Sequence, residues 1–186
     1  MRHILNHKNM STENFVFKIL QIIAWIIFIG LCIEAGVYIV NFVMSIFNPE
    51  MIPNLYNSLD LSSVYNQNQW AFFGIYSFII FIAFLKAYLF YIVIRLLGKL
   101  DLTKPFNNFV AEQIMQLSYY TFSIGLLSYI ARETSENLRY YQYSTENLDA
   151  FWSDAQAFIL MSAVIYVIAV IFKKGVEMQI ENDLTV

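Results

Sequence analysis

Apolar residues in this chain fall neither in the alternation of a half-buried strand nor in the narrow stripe of a surface helix. They come in long runs, such as Ile22-Ile23-Ala24-Trp25-Ile26-Ile27-Phe28, divided by short polar stretches. A helix crossing about 30 Å of hydrocarbon needs roughly 20 mostly apolar residues. Four stretches have that character: 19–47, 71–97, 114–131 and 155–172. The third is the most dilute, interrupted by Ser118, Thr121, Ser123 and Ser128. Lipid cannot satisfy backbone N–H and C=O groups, so each run predicts an α-helix. Long runs without alternation argue against a β-barrel. The expected fold is all-α: a polytopic membrane protein, one domain over 1–186, forming a bundle of four transmembrane helices.

The ends of the runs carry their own signals. Ser11 or Thr12, followed by Glu13, predicts a helix start just before the first run. That run is too long to lie straight across a bilayer, so it tilts or its first turns, with Lys18 and Gln21, follow the inner interface. Trp25, Trp70 and Trp152 all stand near expected span ends, where amphipathic rings favour the headgroup region. A cleaved signal peptide fits poorly, because the first apolar run starts late and continues well past a signal core of roughly 7–15 residues.

Composition agrees with the pattern. The chain is 59% hydrophobic and 13% charged, whereas a water-soluble domain is about a quarter charged. A net charge of −3 gives no basic field, so direct nucleic-acid binding is not expected. The location of charge says more. Eight Lys and Arg residues (Arg2, Lys8, Lys18, Arg95, Lys99, Lys104, Lys173, Lys174) flank one side of the expected spans, and two (Arg132, Arg139) flank the other. By the positive-inside bias both termini and the 98–113 connection are cytoplasmic, in a multi-pass cell-membrane protein. The outer side then consists of two polar loops, 48–69 and 132–154. The second holds Glu133, Glu136, Glu146, Asp149 and Asp154 with Tyr140, Tyr141 and Tyr143, and a solvated acidic loop is the expected form.

Two charges interrupt the apolar runs. Glu34 lies nine residues beyond Trp25, and Lys86 nine residues before Arg95. At about 1.5 Å per residue, both sit roughly 13 Å from the inner face. A charged side chain at helix centre costs at least about 2.5–3.5 kcal/mol on the insertion scale, so an intramembrane charge pair is the expected arrangement. Such a pair either fixes the register of two helices or serves a proton relay, ion or ligand site. Around the first span Gly30, Glu34, Tyr38, Asn41 and Ser45 share one face, and on the third Ser118, Thr121, Gly125, Ser128 and Arg132 do the same. Small and hydroxyl residues on one face mark helix–helix contact in membranes. The alternative is a polar cavity between the first and third spans.

No GxSxG elbow, HExxH pair or phosphate-cradling glycine loop occurs, so no enzyme activity, catalytic residue or cofactor is expected. His3 and His7 supply at most two ligands, too few for a metal site. The single cysteine, Cys32, sits within an apolar run and reads as a small hydrophobe.

The ending Phe172-Lys173-Lys174-Gly175-Val176-Glu177 and then Glu181-Asn182-Asp183-Leu184-Thr185-Val186 resembles a bacterial family of small four-span membrane proteins, a domain of unknown function that includes YoaS-like proteins. The stretches Gly30-Leu31-Cys32-Ile33-Glu34-Ala35-Gly36 and Leu102-Thr103-Lys104-Pro105-Phe106 resemble it too. The resemblance carries no established chemistry and transfers no catalytic residue. It implies a Cro-like helix-turn-helix regulator as cytoplasmic partner, because such proteins are often encoded beside one. Lys173 and Lys174 anchor the tail, and Glu177, Glu181 and Asp183 offer acid to a basic DNA-binding surface. Two readings therefore stand: a non-enzymatic membrane sensor or regulator binding that partner through its tail, and a small transporter or ion-conducting protein using Glu34 and Lys86. Oligomeric state is not legible.

Overall fold

A computed structural model describes residues 2–56, 59–100 and 105–184. The side chains of 2–14, Glu146, Asp183 and Leu184 lie outside the described residues, as does Lys104 entirely. The described residues are mainly helical and form no strand, apart from an isolated antiparallel bridge between Leu55 and Leu59. Six α-helices follow in order: α1 (Arg2–Phe47), α2 (Ser62–Gln67), α3 (Gln69–Lys99), α4 (Asn108–Tyr140), α5 (Asp149–Trp152) and α6 (Ala155–Leu184). A 3₁₀ helix, Pro49–Asn54, follows α1.

Three segments are long and apolar enough to cross a membrane: Phe15–Phe47, Gln69–Lys99 and Asp149–Asn182. The expected third span lies wholly within α4, but α4 does not reach the apolarity of the other three. Its polar residues, tolerated because they face protein, dilute it. The surface fits a membrane protein. Ile22, Ile26, Ile29 and Ile33 on α1 and Leu160, Val164, Val167 and Ile171 on α6 all stand exposed, an apolar expanse no water-soluble monomer of this size carries.

The long helices pack as neighbouring pairs: α1 on α3, α3 on α4, and α4 on α6, while α1 and α6 are not a packed pair. Side-chain contacts fix the antiparallel register of α1 and α3. Gln21 approaches Gly98 at the end expected to be inner, Phe28 meets Tyr91 with centroids 6.2 Å apart, and Phe42 stacks on Tyr76 at 5.2 Å. Between α4 and α6, Ser118 Oγ donates to the Ser162 carbonyl oxygen at 3.0 Å. A Cβ on Gly125 would come within 2.7 Å of Ile159 Cγ1 and 2.8 Å of its backbone nitrogen, so only glycine permits this approach.

Local chemistry sets the helix ends. Asn68 caps α3 by accepting from the Trp70 and Ala71 amides, and Asn107 caps α4 by accepting from Val110. Helix α4 stops in a Schellman turn. The Tyr143 amide donates to the Leu138 carbonyl at 3.1 Å and the Gln142 amide to Arg139 at 2.9 Å. Gln142 holds the left-handed position, φ 66°, where glycine is usual. The expected helix start at Ser11 or Thr12 is corrected. Helix α1 begins at Arg2 and continues through both residues, since nothing in 2–10 breaks a helix and no Pro or Gly intervenes.

The two loops expected on the outer side each carry a buried apolar minority, while Glu133, Glu136, Asp149 and Asp154 of the second are exposed as expected of a solvated acidic loop. Ile52, Leu55, Leu59, Leu61 and Val64 from the first loop and Leu148 and Trp152 from the second are all buried, packed on Phe72, Tyr76 and Ile124 of the long helices. Ser63 and Ser144 join the two loops, the Ser144 amide donating to Ser63 Oγ at 3.2 Å. The expectation that Trp152 marks an interface is likewise corrected. It is 1% exposed, against 83% for Trp70, and its indole N–H donates to Ser135 Oγ at 3.1 Å. The one-turn helix α5, separate from α6, folds the ring inward beneath the loop cap. Ser135 in turn donates to Ala131 and its carbonyl accepts from Thr145, so the Ser135 and Thr145 hydroxyls and the Trp152 indole N–H are satisfied.

Candidate functional site

The register of α1 and α3 brings Glu34 level with Lys86, and both face one cavity of about 500 Å³. Ile79, Ile82 and Ala83 of α3 form its apolar floor. Glu34 and Tyr38 of α1 line one side, and Asn147, Ala150, Phe151 and Trp152 close the outer end. A volume in this range, with a few polar groups converging on an apolar wall, is typical of a small-molecule site.

Among the described residues, no ion pair joins Glu34 to Lys86. The expected direct pairing is replaced by separate local partners. Tyr38, one helical turn on, donates its hydroxyl to Glu34 Oε1 at 3.0 Å. Lys86 Nζ stands 5.9 Å from the ring centroid of Phe158 on α6, a cation–π contact. Glu34 and Lys86 are each half-buried, so the cavity wall carries an acid and a base that are not consumed by one another. The polar cavity considered between the first and third spans therefore lies between α1 and α3 instead, roofed by the α5 segment.

The remaining sequence-derived candidates fall elsewhere. Asn41 turns back on its own helix, donating to the Val37 carbonyl at 2.8 Å. Nothing stands within 4 Å of a Cβ on Gly30, so no helix approaches closely there. Ser118, Thr121 and Ser128 are buried on α4, with Thr121 donating to the Leu117 carbonyl. Arg132 is exposed and paired with Glu136 at 2.9 Å. Arg139 pairs with Asp149 at 2.8 Å, and the two pairs border a second, smaller cavity with Ser153. Glu136 holds the Arg132 guanidinium above its ordinary pKa through hydrogen bonding and charge. Both cations of the outer side thus have an acid against them.

In the tail, α6 continues well past Phe172. Lys174 pairs with Glu177 at 2.6 Å. Val176 is buried, and Gly175 lies against the Phe106 ring at the start of α4. Glu181 is exposed on the same helix. His3 and His7, weighed and set aside as metal ligands, have side chains outside the described residues, and no cluster of metal-binding side chains occurs among those described. Sequence reasoning missed Phe151, Trp152 and Asn147 as parts of the site. Their only signal was an apolar pair embedded in an acidic loop.

Comparison with protein-family models, with curated proteins and with solved structures returned no match for this chain.

Proposed function

We propose that this chain is a four-span, non-enzymatic membrane protein with both termini in the cytoplasm. It binds a small ligand in the Glu34–Lys86 cavity and reports occupancy to a cytoplasmic partner of the helix-turn-helix class through the end of α6. The observation that carries the reading is the continuity of α6. Its Phe158 touches Lys86 at the cavity, and the same unbroken helix runs on to the acidic tail. A rigid helix is a physical link between two sites when both bias its position.

A fourth crossing by α4 is supported by geometry despite its modest apolarity. Its start lies at the inner end of α3, where Lys99 sits 4.7 Å from the Phe109 ring centroid and Arg95 5.7 Å. Its end lies beside the outer end of α3, where Ser144 meets Ser63. Helix α4 therefore covers the depth that α3 covers, shielded by α3 and α6. The orientation rests on the excess of Lys and Arg at one end, eight residues against two.

The test is co-purification of the full chain with the helix-turn-helix regulator encoded beside its gene. Truncation after Lys173 should abolish capture while leaving membrane insertion intact. Undiminished capture by the truncated chain would remove the tail from the mechanism. A second reading, a transporter using the same two charges, is favoured by the half-depth position of the cavity. Ligand uptake into proteoliposomes would select it.

A further inference from the structure

The ligand class follows from the cavity itself, and rests on the reading of that cavity as a ligand site. We propose that it takes a zwitterion carrying an ammonium and an oxyacid group a few bonds apart, the chemistry of a phosphoethanolamine-type headgroup. Glu34 and Lys86 present opposite charges to one space without closing on each other. In a low-dielectric site an unpaired charge is costly, so the preferred occupant neutralises both. A simple cation would meet Glu34 but leave Lys86 unpaired and repelling it. A simple anion has the converse difficulty. A zwitterion answers both charges and adds none.

The surroundings also give the ligand a direction. The Glu34 side is aromatic: Tyr38 sits there with Phe151 at a centroid distance of 6.0 Å and Tyr56 at 5.6 Å. Ring faces beside a carboxylate suit an ammonium. Lys86, one helix away, faces the oxyacid. Ile79, Ile82 and Ala83 provide an apolar floor for the carbon chain that continues from the headgroup. Because α1 and α6 do not pack together, no helix–helix seam closes the space between them over α3. A lipid could thus present its headgroup while its tails remained among the neighbouring chains, and a free zwitterion would occupy the same contacts alone.

Titration calorimetry on the full chain in a neutral maltoside detergent tests this with glycerophosphoethanolamine, ethanolamine, inorganic phosphate and dihexanoyl phosphatidylethanolamine. The zwitterions should bind at least tenfold more tightly than ethanolamine or phosphate. Preference for the short-chain lipid over glycerophosphoethanolamine assigns the source to lipid, and equal binding assigns it to the free molecule. Glu34→Gln and Lys86→Met should each weaken zwitterion binding at least tenfold. Ala83→Leu narrows the floor without touching either charge and should weaken binding too, its thermal melting showing that the fold survives. Binding of ethanolamine or phosphate as tight as the zwitterion, or no binding of any probe, overturns the ligand class while leaving the link from α6 to the regulator standing. Zwitterion binding that leaves capture of the regulator unchanged upholds the ligand class and overturns that link instead.

Discussion

Helices α1 and α4 obey opposite rules. Across the apolar window of α1 only 6% of residues are buried, against 33% for α3. Helix α4, the least apolar of the four long helices, buries Gln113, Ser118, Thr121, Gly125, Ser128 and Ser135. In water the more apolar helix would go inside. The pattern fits a hydrocarbon surround, which would give α1 no reason to hide its isoleucines and α4 every reason to turn its hydroxyls and its glycine toward protein. Between these two helices, the exposed apolar face suits lipid, and the small polar residues mark where helices meet.

The contrast can be broken most severely at the tryptophans. Trp152→Ala removes a fully buried ring and its bond to Ser135, and should destabilise the protein by about 3–5 kcal/mol, read by unfolding in mixed detergent with SDS. Trp70→Ala, at an exposed ring, should change stability by less than about 0.5 kcal/mol. Equal costs would mean that Trp152 is not the keystone of the outer cap.

Glycine provides the next step down. Gly125→Leu places a side chain where Ile159 and Ala155 already stand, and should cost about 1–3 kcal/mol or more by forcing α4 from α6. Gly30→Leu on α1 meets nothing within 4 Å and should be neutral or slightly stabilising, since leucine favours the helix. A costly Gly30→Leu would reveal a partner for α1 that this chain alone does not supply.

Ser118→Ala, which deletes the bond to Ser162, should cost about 0.6 kcal/mol, the usual worth of an interhelical hydrogen bond in membranes. Smallest of all is Gln142→Gly, which relieves the left-handed strain at the end of α4 and should stabilise by up to about 1 kcal/mol, offset in part by the freer unfolded chain. A loss of stability there would show that the Gln142 side chain contributes more than the strain costs.

The long runs were legible because lipid imposes a length and a composition that nothing else in the sequence imitates. The level placement of Glu34 and Lys86 was legible too, since helical rise converts residue number directly into depth. Their failure to pair was not, because it depends on Tyr38 reaching Glu34 and Phe158 reaching Lys86 from another helix, which are side-chain geometries rather than patterns. The outer cap was hidden for a different reason. Ile52, Leu55, Leu59, Leu61 and Val64 are scattered among Asn and Ser without period, so the loop reads as polar although these five turn inward. Trp152 was misread because a tryptophan beside an apolar run has two stable environments, an interface or a core. Only the break between α5 and α6 chooses between them.

Whether α4 crosses the membrane decides between a shielded polar span and a helix lying on the inner face. In a Cys32→Ser background, single cysteines at Asn108 and Tyr140, the first and last residues of α4, are labelled in intact cells with a membrane-impermeant maleimide. Crossing predicts that Tyr140→Cys is labelled from outside, and that Asn108→Cys is labelled only after the inner face is opened. Labelling of both positions from the same side would contradict it, and with it the four-span arrangement.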